Sequence, residues 1–254
     1  MVSIDLPVLT RELRCRLRGT RGPLLLFIPT VLAIAVAVAI IGVCYHLLSG
    51  SLAEKQTQVA QIGQYLAIGL YCIEGFVCFF ITPALTAGAI TKEREQQTLE
   101  FLFLTRLTSH DILFGKLLSS LGLVILLIFC TLPVIALSFL FGGVSAGEVI
   151  YGLVSLLSSV VLYGVIGLLA SLLARKTSVA IMLSYLCCMV ISQAVGFAVV
   201  FTVMLIGGRI ESNQLVDTYI MATAIIGSIY NIIFSALLYW LSVRKLDQIR
   251  RSVT

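Results

Sequence analysis

Six apolar runs, each long enough to cross a lipid bilayer, dictate what this chain can become. They lie near residues 23–48, 63–90, 117–141, 149–174, 179–206 and 219–243, with connections at 49–62, 91–116, 142–148, 175–178 and 207–218. A helix needs about 20 apolar residues to cross the hydrocarbon core. Lipid offers no partner to an exposed amide, and an α-helix satisfies its backbone within one segment. The expected fold is therefore all-α: a polytopic membrane protein with six transmembrane helices, one transmembrane domain over 1–254. Hydrophobic residues make up 59% of the chain and charged residues 11%, far from the usual balance of a soluble domain. The first run is too long for a cleavable signal peptide and follows an arginine-rich stretch, so none is expected.

Charge placement orients the helices. An even number of crossings leaves both termini on one side. Of the 17 Lys and Arg residues, 15 fall on that side; Lys55 and Arg209 fall on the other. This asymmetry puts both termini and residues 91–116 in the cytoplasm of a cell's plasma or inner membrane. Residues 5–18 add an interfacial element. Leu6, Leu9, Leu13 and Leu17 recur at helical spacing with Arg11, Arg14 and Arg18 opposite, so an amphipathic helix is expected to lie among anionic lipid headgroups. Tyr239 and Trp240, just before Arg244 and Lys245, suit an interfacial anchor. Pro29, Pro83 and Pro133 stand inside membrane runs where they can kink helices, and Ala84, Gly88, Gly164 and Gly167 suit close helix approach.

Catalytic and metal-binding patterns are absent from the sequence. No phosphate-cradling glycine loop occurs: Gly115-Lys116 is followed by Leu117, so ATP chemistry is expected on another chain. His46 and His110 have no partner at metal-ligand spacing, and the seven cysteines, without any CxxC, read as packing residues. No cofactor and no nucleic-acid partner are expected. One acid lies deep in a crossing, Glu74. A charge there costs roughly 2.5–3.5 kcal/mol on insertion scales, so it should face the bundle, with Gln193 or Asn231 as a polar partner. It reads either as a translocation-path residue or as a hydrogen-bonded structural carboxyl.

The connection at 91–116 is the most charged stretch away from the termini. Glu93-Arg94-Glu95-Gln96-Gln97-Thr98-Leu99-Glu100 runs straight into Phe101-Leu102-Phe103-Leu104. On a helical wheel Leu99, Leu102, Phe103 and Leu107 take one side, while Phe101 and Leu104 point the other way. Two apolar faces suit a helix held between a membrane bundle and a soluble partner.

Ala87-Gly88-Ala89-Ile90, Glu93-Arg94-Glu95, Thr98-Leu99-Glu100, Thr105 and Gly115-Lys116 together resemble the signature loop of type-2 ABC transporter permeases. In that family the loop carries a coupling helix that docks on an ATPase. The resemblance implies the membrane subunit of an exporter, beneath which sits an ABC ATPase dimer, paired with a second permease copy or a paralogue. Glu93, Arg94, Glu95, Thr98, Leu99, Glu100, Phe101 and Leu104 are then the expected coupling residues. Gln97 and Arg106 stand where the family usually has glycine and proline, and both are expected to lengthen the helix. The alternative, a secondary transporter or channel, would call for inverted repeats and several buried polar residues.

Overall fold

The computed structural model describes residues 21–47, 52–97, 108–142, 144–207 and 215–253. These residues form helices and no strands: α1 (Arg21–Leu47), α2 (Leu52–Glu95), α3 (Ser109–Ala136), a single turn α4 (Ser138–Phe141), α5 (Ala146–Leu173), α6 (Thr177–Gly207) and α7 (Leu215–Val253). Five are long and apolar enough to span a membrane, and α1 contributes a shorter apolar stretch, Phe27–Val43. The expected interfacial helix at 5–18 and the stretch 98–107 lie outside the described residues.

Helix ends depart from the apolar boundaries for local reasons. α2 has 44 residues, a length of about 66 Å, against a bilayer about 40–45 Å thick with its headgroups. Hydropathy marks where lipid begins, not where a helix stops, and Leu52–Ile62 holds no Gly or Pro to end one. α7 likewise continues to Val253 through its basic end, where Leu246 is buried. α3 starts at Ser109, eight residues before the apolar run. Thr108 Oγ1 accepts from the Asp111 N–H while the Asp111 carboxylate accepts from the Thr108 N–H, a capping box. The expected third helix, 117–141, divides after Pro133 into α3 and α4, and Gly142 at φ +76° closes it.

α5 is the axis of the bundle. From Leu162 to Leu172 it is buried nearly all round, as a central helix must be, and it packs most extensively on α2 and α7. Where it meets α2 there is no room for a side chain. A Cβ on Gly167 would strike Thr86 Oγ1 and lie 3.2 Å from the Pro83 carbonyl oxygen. Gly164 answers to another neighbour, since a Cβ there would come within 2.8 Å of Leu121 on α3. What lies nearest Gly88, by contrast, is the Lys92 side chain of its own helix. Pro83 cannot donate to the carbonyl of Phe79, and beside that gap the Tyr185 hydroxyl of α6 donates to the Phe80 carbonyl at 2.7 Å.

Candidate functional site

The site forms where α2 ends. Ile90, Ile112, Leu113, Leu168, Leu172 and Leu246 make a small buried cluster that draws α2, α3, α5 and α7 together at this end. One turn further, α2 presents Glu93, Arg94 and Glu95. Successive helical residues point about 100° apart, so the three reach different neighbours.

Glu93 faces α3. Lys116 Nζ donates to Glu93 Oε1 at 2.5 Å and to the Ala89 carbonyl at 2.6 Å, and neither side chain of the pair is more than 28% exposed. Arg94 and Glu95 face the turn between α5 and α6. Arg94 Nη1 donates to the carbonyl of Ala174, the residue that caps α5, at 2.8 Å. Glu95 Oε1 accepts from the N–H of Thr177, the first residue of α6, at 2.7 Å, and Thr177 Oγ1 lies 3.0 Å from Glu95 Oε2. The signs of charge are matched to the helix ends. A helix C-terminus has orphan carbonyls and partial negative charge, which suits Arg94; an N-terminus has orphan N–H groups and partial positive charge, which suits Glu95. Two adjacent residues thus grip both sides of a three-residue turn. Ser171 Oγ, one turn deeper, accepts from the N–H groups of Ile90 and Thr91 at 2.9 and 3.1 Å.

Glu93, Arg94 and Glu95, expected as coupling residues, each have a partner within the chain. Nothing in the sequence pairs Arg94 with a backbone carbonyl 80 residues away, because carbonyls carry no residue-type signal. The other expected coupling residues, Thr98, Leu99, Glu100, Phe101 and Leu104, lie outside the described residues. The expectation of a longer helix through Gln97 is corrected. α2 stops at Glu95, and Gln97 takes φ +58°, its N–H donating to the Arg94 carbonyl at 3.2 Å. This left-handed position is the one glycine fills without the roughly 1–2 kcal/mol that a Cβ incurs. Gln97 therefore keeps the glycine's conformation without its ease.

Glu74 lies elsewhere, 4% exposed, between α2 and the facing sides of α1 and α3. Its partner is Thr131, whose hydroxyl donates to Glu74 Oε1. The expected partners are both otherwise placed: Asn231 Nδ2 donates to Ser159 Oγ at 3.0 Å, and Gln193 is exposed on α6. Thr131 Oγ1 is also 2.9 Å from the Ile128 carbonyl, yet a hydroxyl has one hydrogen to give. The void beside Glu74, about 10 Å³, holds about one water at most. Glu74→Gln retains the shape and adds donors, so it should accumulate and melt like the parent while changing the pH dependence of transport. Glu74→Ala also empties the space and should melt lower, by about 1–3 kcal/mol of stability. Parental transport by both variants at every pH tested would leave Glu74 a purely structural group.

Long apolar helices around a central buried one, tied together at one end by charged residues, define a polytopic α-helical membrane protein. Residues 47–243 match the family model of the ABC-2 family transporter protein. The chain belongs to that family and is the permease, the membrane subunit, of an ABC transporter, a class that works with an ABC ATPase. No curated protein sequence matches it.

Proposed function

We propose that this permease forms half of the translocation path of an ATP-driven exporter, with residues 98–107 as the contact for a separate ATPase that binds the nucleotide. The observation that supports this reading is the grip of Arg94 and Glu95 on the α5–α6 turn, together with the Lys116–Glu93 pair. A contact loop moves helices only if its root is rigidly joined to them. Here the root, the end of α2, is tied to α3, α5 and α6 by polar contacts of 2.5–3.0 Å. Closure of an ATPase pair against the loop would pass through those ties to the bundle. The complete transporter pairs two such permeases, as identical copies or paralogues, over an ATPase dimer in the plasma or inner membrane.

The test is a paired alanine series in a permease co-expressed with its ATPase, scored for co-purification and for the melting temperature of the permease alone. Phe101→Ala and Leu104→Ala should weaken association, by about 2–4 kcal/mol for an anchor residue, with melting unchanged. Leu99→Ala, Leu102→Ala and Phe103→Ala should lower melting instead. Intact ATPase association across every substitution from Thr98 to Leu107 would reject the stretch as the contact.

Orientation rests on the 15-to-two charge split. With single cysteines placed in a cysteine-depleted chain, an impermeant thiol reagent should label positions 51 and 212 in intact cells and leave position 97 unlabelled. The reverse pattern would invert the topology.

A further inference from the structure

A cavity of about 640 Å³ runs between α2, α5 and α7. Its volume lies in the range of small-molecule sites, about 300–1,000 Å³, but its shape is a slot. It follows α2 from Gln64 to Cys78 and α5 from Glu148 to Tyr163, a length of about 21–22 Å along each helix.

The chemistry of the slot changes along its length. Several polar groups along it are already engaged by the protein: the Tyr71 hydroxyl donates to the Val149 carbonyl at 2.9 Å, and Ser159 Oγ donates to the Ser155 carbonyl and accepts from Asn231. What they leave to an occupant is apolar wall, formed by Ala67, Ile68, Leu156 and the open face of Gly75. The mouth differs. Glu148, in the first turn of α5, is the one charged side chain among the described residues lining the slot, and Tyr151 stands beside it at i+3 with Gln64 opposite. A carboxylate next to an aromatic ring recognises an ammonium group, by charge and by cation–π attraction.

We propose that this slot binds one single-chain amphiphile, its apolar chain along α2 and α5 and its ammonium head against Glu148 and Tyr151. The site is separate from the ATPase contact, and its test uses the permease alone, so neither result bears on the coupling reading.

Cys72 lines the slot and is exposed, which makes its thiol a local reporter. With Cys72 as the sole cysteine, in neutral maltoside micelles, a hexadecyltrimethylammonium probe should slow maleimide alkylation of Cys72 saturably, and hexadecanoate should not. Glu148→Gln keeps the acceptor for Ser145 but removes the charge. It should raise the half-protective concentration about tenfold, equivalent to roughly 1.4 kcal/mol. A Cβ on Gly75 meets nothing within 4 Å, so Gly75→Phe should melt like the parent and abolish protection. Equal protection by the carboxylate, an unchanged half-protective concentration in Glu148→Gln, or no protection of the folded parent would each overturn the proposal. Stronger protection by phosphatidylethanolamine, an amine-headed lipid with two chains, would overturn the single-chain occupant.

Discussion

Gly167→Ala is expected to destabilise the permease by about 3 kcal/mol, the upper part of the range for overpacking a tight interface. The added methyl would overlap Thr86 Oγ1 and lie 3.1 Å from Thr86 Cβ and 3.2 Å from the Pro83 carbonyl oxygen. The hydroxyl can turn away, but the carbonyl belongs to the backbone of α2 and cannot. Relief requires α2 and α5 to separate. Separation would pull Ser171 from the N–H groups of Ile90 and Thr91, and then Arg94 from the Ala174 carbonyl. The melting temperature should fall by about 6–12 °C for a chain of this size. Thr86→Ala alone loses only a back-bond to the Thr82 carbonyl of its own helix and should cost little. The double variant should recover part of the loss, with a coupling of at least about 1 kcal/mol in a double-mutant cycle. Parental melting of Gly167→Ala would mean that the helices do not touch as described.

Lys116→Met should be nearly as severe, and its effect should reach function. Methionine keeps much of the lysine stem but removes the cation from Glu93, whose side chain is 28% exposed. Breaking a buried pair costs about 3–5 kcal/mol, and the partial exposure here puts the expectation at or just below the lower end. Glu93→Gln in the same chain removes the stranded charge and should restore most of the stability, because replacing both partners is far milder than replacing one. Transport should not return with stability. The double variant should recover most of the parent's melting temperature but lacks the 2.5 Å tie between α2 and α3, so ATP hydrolysis by its partner ATPase should be poorly stimulated by substrate. Full stimulation in the double variant would show that this tie carries no coupling.

That the chain is a bundle of spanning helices is readable from residues such as Leu121–Leu127 alone, because burial in lipid is a demand on every side chain in a run. The charge split and the signature around Glu93-Arg94-Glu95 are equally local. Element ends were less legible. The end of α2 at Glu95 hides behind residues that favour helix, since Gln97 takes a left-handed conformation with no glycine to announce it.

Partner choice was decided by tertiary structure. Glu74 could have met Gln193 or Asn231 on composition alone, and it meets Thr131 because α3, not α6 or α7, packs on that face of α2. The slot near Glu148 arises only where α2, α5 and α7 fail to close, and a gap has no sequence signature. Hydropathy and charge are properties of residues, so the chain itself states that it spans a membrane and which of its ends are basic. Contacts are properties of pairs such as Glu93 with Lys116 and Phe80 with Tyr185, 23 and 105 positions apart, and only the packing of the helices around Gly167 decides which pairs meet.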